Sequence, residues 1–339
     1  MMNKSLNIST SPHITKGIST DYIMKQVVIA LTPAAIFAVY SFGLNALLQI
    51  VVAIFTTVAT EHFLAKISKT ESTITDWSAV ITGMIYGMTL PPAFPLWMNM
   101  MGGIIAITLG KYAFGGLGSN AFNPALVGRA VIQAAFPVAI TTWSTAFTVN
   151  RFVSVSPSVL TFPFMEPLLD GTTSATPLSD FKFNQVSANA ADLALGLVSG
   201  STGETCAIVI VLGGLYLIIR KMMNWRIPLA MLGSVFLLSG LLYLVDSQIY
   251  PSPLFMLFSG GLLFGAMFMA TDMVGSPITA QGAVVYGIFI GVLIVVIRIW
   301  GGLPEGVMYA ILLGNAISPH LDNLLKNRVY GTGKSKIKK

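Results

Sequence analysis

The sequence predicts an all-α integral membrane protein: about ten transmembrane helices in two inverted five-helix repeats, with broken or half helices and one polar loop on the outer face. Three observations lead there. Charged residues make up 9% of the 339 and hydrophobic residues 54%, whereas soluble domains carry about 25% charge, so there is too little polar surface to hydrate. Its apolar residues gather into stretches suited to crossing about 30 Å of hydrocarbon, which takes about 20 helical residues. Two glycine-containing blocks recur in the same order in both halves of the chain.

In order, a polar cytoplasmic segment, residues 1–22, comes before the first apolar stretch and has no cleavable-signal character. The expected spans are 23–42, 44–65, 77–90, 95–113 and 124–140, then 204–222, 226–245, 253–270, 281–299 and 303–318. The membrane units are therefore 23–140 and 193–320, separated by an outer loop at 141–192 and followed by a basic cytoplasmic tail, 321–339. Several spans are short. The third stops at Pro91-Pro92, and the fifth starts at Pro124 behind Gly115-Gly116-Leu117-Gly118-Ser119-Asn120. Irregular backbone at membrane depth must be buried in protein or line a cavity. Cys206 reads as a small apolar residue within a helix, since one cysteine makes neither an internal disulfide nor an iron–sulfur site.

Orientation follows from Lys and Arg. A cytoplasmic N-terminus puts Lys4, Lys16, Lys25, Lys66, Lys69, Lys111, Arg220, Lys221, Arg226 and six tail residues inside, fifteen of the nineteen. Arg151, Lys182 and Arg298 fall outside, and Arg129 falls within the fifth span. The net charge of +6 comes largely from the tail and points to anionic headgroups rather than nucleic acid. Gly115-Gly116-Leu117, then Leu126, Gly128 and Ala130, repeats as Gly301-Gly302-Leu303, then Leu312, Gly314 and Ala316. Upstream, Gly83 and Gly87 are echoed by Gly261 and Gly265. Five spans per half is an odd number, so the halves would be inverted.

Chemistry has few candidates. Asp170-Gly171-Thr172-Thr173-Ser174-Ala175-Thr176-Pro177 crowds hydroxyls into the outer loop. Pro177 keeps Thr176 out of the α region, so the hydroxyls are expected on exposed, extended or turning backbone. By composition alone this is a turn satisfying its own backbone. In the inner glycine block, Asn120 and Asn123 offer amide donors and acceptors, and Asn123 also suits the cap of a helix opening on Pro124. Thr271-Asp272-Met273-Val274-Gly275-Ser276-Pro277 reads either as a short polar inner loop or as a place where Asp272 meets a ligand or cation. Glu305 complements the dipole at the start of the last helix and, with Asp272, is a candidate for an ion path. Glu204 and Asp246 read as outer-boundary residues. His13, His62 and His320 are too dispersed for a metal site. No nucleophile–base set or Walker loop appears.

The segment Asp170 to Thr176 resembles the Asp-x-x-(Ser/Thr)-x-Ala-Thr motif that flavin transferases modify, in which FMN is joined through its phosphate to the last threonine. Gly115 to Ala125, Thr271-Asp272 and Glu305-Gly306 are similar to the B/D-type membrane subunits of sodium-pumping NADH:quinone oxidoreductases and Rnf complexes. The likeness runs over about residues 10 to 325, and the short N-terminal segment favours the D type. Ser174 stands where that family often has glycine, which keeps the position small. The resemblance implies covalent FMN on Thr176 at the outer face, with Asp170, Thr173, Ser174 and Ala175 forming the motif. It also implies a possible non-covalent riboflavin, for which Asn120 and Asn123 are the candidates. The function implied is that of an electron-transfer subunit of an ion-translocating ferredoxin:NAD⁺ oxidoreductase in the bacterial inner membrane. Its partners would be the A, B, C, E and G subunits, with a flavin transferase for maturation, and this chain alone would hold no complete active site. A B-like subunit of the quinone reductase, or a urea-channel-like solute channel with no redox role, are the alternatives.

Overall fold

A computed structural model describes residues 19–69, 74–163, 165, 173–204 and 206–326. The chain is mostly helical. From the N-terminus come α1 (Thr20–Phe42), α2 (Leu44–Ser68), α3 (Ser78–Thr89), α4 (Leu96–Thr108), α5 (Pro124–Ala135) and a short α6 (Pro137–Ile140). A connecting segment carries β1 (Trp143–Ser144), β2 (Thr173–Ser174), α7 (Pro177–Asn184) and α8 (Ala190–Leu195). There follow α9 (Ala207–Ile219), α10 (Arg226–Val245), α11 (Pro253–Phe258), α12 (Leu262–Phe264), a π-helical turn at Gly265–Met269, α13 (Ala280–Trp300) and α14 (Val307–Leu324). Each expected window contains helix. Among the described residues, α1, α2, α10 and α13 are long and apolar enough to cross a membrane. The protein is not purely helical, because β1 and β2 form a two-residue antiparallel ladder, Trp143 opposite Ser174. Cys206 stands just before α9 rather than inside it, and is buried.

Breaks fall where the chain chemistry puts them. Pro137 ends α5, since it cannot donate to the helix ladder and restricts Phe136 before it. Window 253–270 is interrupted at Ser259 to Gly261, where Gly260 takes φ 60°. In the π turn the Ala270 N–H reaches back five residues to the Gly265 carbonyl at 2.8 Å; such insertions cluster at functional sites.

In the first half α2 packs against α3 and α4, and α4 against α5; in the second, α10 packs against α13 and α11, and α13 against α14. The halves meet where α1 packs on α9 and α5 on α14. Close approach is set by glycine: a Cβ on Gly128 of α5 would lie 2.7 Å from the Gly102 carbonyl of α4. Buried polar groups join the helices as well. Asn99 donates to the Gln49 side chain at 2.7 Å, and Gln49 in turn donates to the Phe94 carbonyl.

The two ends of the bundle differ. At one, here called the basic end, lie the start of α1, Lys66, Arg220 and Arg226. There Lys111 is buried against Glu61 at 2.7 Å and Ser78 at 2.6 Å. At the other, the connecting segment folds down on the helix turns. The Leu44 N–H donates to the Arg151 carbonyl at 2.9 Å, Ser158 to the Ala93 carbonyl at 2.7 Å, and the Thr202 N–H to the Leu90 carbonyl at 3.1 Å.

Candidate functional site

At the basic end a cavity of about 810 Å³, counting its open mouth, lies between α1, α3, the start of α5 and the π turn. It brings together Asn120, Asn123 and Asp272, which come from segments about 150 residues apart. The glycine block reaches it by a turn with positive φ at Gly115, Gly116 and Gly118 (104°, 98° and 92°), conformations that side chains rarely adopt. That turn delivers Asn120, whose amide donates to the Phe122 carbonyl at 3.2 Å and also bonds the Asp272 carboxyl. Asn123 caps α5, its oxygen accepting the Ala125 N–H at 3.1 Å, with Pro124 in the first turn. Its amide nitrogen meanwhile donates across the half-to-half interface to the Met269 carbonyl at 3.2 Å. Capping and cavity lining are thus one residue's two roles. Desolvation among apolar walls pushes the Asp272 carboxyl up, offset in part by the Val274 N–H and the Asn120 amide. Lys111 and Thr271 also face the space.

At the opposite end Thr176 differs from its sequence expectation in exposure and matches it in backbone. It is only 4% exposed. Its backbone is extended (φ −73°, ψ 154°), as Pro177 requires, and Pro177 occupies the first turn of α7. Thr176 is therefore the cap of α7, its hydroxyl oxygen accepting the Ser179 N–H at 3.3 Å. Proline cannot continue a helix from its N-terminal side, yet it is well suited to begin one, and that is the use made of it here. Next to it Ala175 is exposed, while the Ser174 hydroxyl is buried with no hydrogen-bond partner. Asp170 lies outside the described residues, and of Thr173 only the backbone is described, in β2.

Between these two regions, Arg129 on α5 bridges two carboxylates, Glu204 at 3.3 Å and Glu305 at 2.9 Å. All three are largely withdrawn from solvent. Glu305 does not serve the dipole of α14 directly, because that helix begins only at Val307 with Gly306 as its cap. Glu204 is not a boundary residue; Gly261, where a Cβ would collide with its carboxylate, gives it room to reach inward. Arg298 completes the cluster, donating to the Met256 and Ser259 carbonyls at 2.6 and 2.8 Å. One side of the cluster opens into a second cavity of about 810 Å³, bounded by α5, β1, α7 and residues 302–305.

A family model described as "NQR2, RnfD, RnfE family" matches residues 7–331. The chain belongs to the NQR2, RnfD, RnfE family. It is similar, at 42% identity over 335 residues covering 96% of both chains, to the D subunit of the proton-translocating ferredoxin:NAD(+) oxidoreductase complex of Clostridium ljungdahlii. It is 39% identical over 343 residues, 100% of this chain and 99% of the other, to the D subunit of the Na(+)-translocating ferredoxin:NAD(+) oxidoreductase complex of Acetobacterium woodii. The D subunit of an ion-translocating oxidoreductase complex from Alcanivorax borkumensis is 36% identical over 336 residues, 96% of this chain and 97% of the other.

In this member of the NQR2, RnfD, RnfE family, the residues singled out from sequence separate into two groups. Asn120, Asn123 and Asp272 converge on the basic-end cavity. Thr176, Ser174, Ala175 and Glu305 lie at the other end, with Glu305 tied to Arg129 rather than to Asp272. Sequence reasoning missed the Arg129–Glu204–Glu305 cluster. The signal was a lone arginine inside an apolar span, which almost always has a partner; what was not legible was that both partners come from the other half.

Proposed function

We propose that this chain is the D-type electron-transfer subunit of an Rnf-like ion-translocating ferredoxin:NAD⁺ oxidoreductase in the bacterial inner membrane. FMN is esterified to Thr176, and a second flavin, riboflavin, is held at the basic-end cavity. The observation that carries the reading is the placement of the two regions along one helix. Asn123 at the start of α5 lines the basic-end cavity and Arg129 lines the opposite one. Six residues of helix separate them by about 9 Å at 1.5 Å per residue. When bound, the flavins supply one-electron chemistry, and the protein supplies position and electrostatics.

The residues present fit a phosphate on Thr176. An N-cap oxygen already accepts a helix N–H, and a phosphoester there would offer that N–H a charged acceptor at the positive end of the helix dipole. The Ser174 hydroxyl, buried and unpaired, is a donor at hand. At the basic end the Asn120 and Asn123 amides and Lys111 are the groups that would hold a flavin ring edge.

The two-repeat arrangement is part of this reading. Lys111, four residues before Gly115, reaches Ser78, five before Gly83; Arg298, three before Gly301, reaches Met256, five before Gly261. These like contacts lie at opposite ends, as inverted halves with ten spans would have them. The partner A, B, C, E and G subunits would supply the nicotinamide and ferredoxin sites. The coupled ion is Na⁺ or H⁺; similar proteins are named for each.

The test is in-gel fluorescence after denaturing electrophoresis, with a flavin transferase co-expressed. A flavin band that survives SDS and disappears in Thr176→Ala supports the proposal; no band in the parent chain refutes covalent attachment.

A further inference from the structure

We infer that the cavity between α5, β1, α7 and residues 302–305 is the seat of the isoalloxazine ring of the flavin carried by Thr176, with Trp143 and Phe183 as its apolar walls and Gln133 as a polar contact. This rests on the attachment reading above and goes beyond it, since attachment at an outer threonine would equally allow a ring lying free in solvent.

Position comes first. Thr176 is bracketed by residues that line this cavity. Trp143 pairs in the ladder with Ser174, two residues before it, and Ser179, whose N–H its hydroxyl accepts, is three residues after. One turn further along α7, Phe183 lines the same space. A group esterified to this hydroxyl therefore starts beside the cavity. Lys182 holds the arrangement together. It donates to the Arg298 carbonyl at 3.1 Å, the Leu303 carbonyl at 3.3 Å and the Gly301 carbonyl, fastening α7 against the turn that makes the far wall.

The lining is of the right chemistry. Its water-accessible space of about 330 Å³ lies at the lower end of the range of about 300–1,000 Å³ typical of ligand pockets, which join apolar walls to a few placed polar groups. Trp143 is 7% exposed and forms a buried wall, whereas Phe183, 67% exposed, stands at the mouth. At the depth of the cavity the Arg129 Nε is buried without a hydrogen-bond partner. Unpaired buried polar atoms are costly unless something meets them, and the heteroatom edge of an isoalloxazine offers both acceptors and a donor.

The experiment uses the full chain, expressed with its complex and a flavin transferase, in four forms: parent, Phe183→Ala, Gln133→Leu and, as a control away from the cavity, Val153→Ala. Two quantities are read on each. The SDS-resistant flavin band reports attachment. Iodide quenching of flavin fluorescence in the native protein reports shielding of the ring. Because Phe183 is exposed, its truncation leaves folding intact. The expected result is an undiminished band in all four, with quenching raised several-fold in Phe183→Ala and Gln133→Leu and unchanged in Val153→Ala. A band with parent-like quenching in both cavity variants overturns the seat while leaving attachment standing. Absence of the band in the parent overturns attachment and the seat together.

Discussion

Replacing Arg129 by Met removes the guanidinium that bridges Glu204 and Glu305. The guanidinium lies 3.3 and 2.9 Å from the two carboxylates, and all three side chains are withdrawn from solvent. Arg298 lies nearby but forms no ion pair with either carboxylate; its Nη1 and Nη2 donate to the Met256 and Ser259 carbonyls. Breaking a buried pair by removing one partner costs about 3–5 kcal/mol, since a charge is left without compensation. At about 2 °C per kcal/mol for a chain of this size, the thermal midpoint in detergent should fall by about 6–10 °C. The loss belongs to the stranded carboxylates and not to the missing arginine, so a second substitution separates the two. Arg129→Met combined with Glu204→Gln and Glu305→Gln should recover more than half of it. Tryptophan-fluorescence melting of the purified proteins measures both. A single variant melting within about 1 °C of the parent, or a triple variant no better than the single, refutes the view that this cluster ties the halves together.

Three further outcomes are expected. Asn123→Ala removes a cap worth about 1 kcal/mol and orphans the Met269 carbonyl at a further 1–3 kcal/mol or so; Asn123→Asp, which keeps the cap oxygen, should lie between it and the parent in the same melts. Gly128→Ala should destabilise by about 1–3 kcal/mol through overpacking against Gly102, whereas Gly116→Ala, at φ 98° with open space around it, should lose about 1 kcal/mol through its backbone alone. A tag inserted between residues 158 and 163 should be reachable by impermeant reagent from outside intact cells; labelling only in inside-out vesicles would reverse the orientation read from the Lys and Arg distribution.

Much of the scaffold is legible because it is written locally. Apolar windows, Pro91-Pro92, Asn123-Pro124 and the glycines at 115, 116 and 118 each act through their own backbone, and each does in the fold what its chemistry dictates. What depends on distant partners is not legible. Glu204 reads as a boundary residue because nothing near it in sequence needs it; its partner Arg129 is 75 residues away. Glu305 reads as part of a helix start that the structure places two residues later, a difference of the size that element boundaries usually carry. The glycine block and the 271–277 loop look like separate candidates in sequence, and only the packing of α5 on the π turn makes them one cavity. Thr176 is more instructive. Pro177 keeps Thr176 extended, as read from the sequence, but it also opens α7, so the hydroxyl becomes a buried cap instead of an exposed group.

If Thr176 is esterified as proposed, its capping role bears on how the chain is matured. The hydroxyl that an esterifying enzyme would have to seize is 4% exposed and engaged by the Ser179 N–H, so it would act on molecules with the first turn of α7 frayed. Losing an N-cap of this kind costs about 0.5–2 kcal/mol, which holds the frayed form about two- to thirty-fold below the closed one and weakens the enzyme's apparent affinity by that factor. Speed of maturation would therefore depend on when the enzyme arrives. A chain met before its connecting segment has settled escapes the penalty, and one met afterwards waits on a rare opening. Once made, such an ester would replace a neutral cap with an anionic one, and the turn would close more firmly on the product than on the substrate.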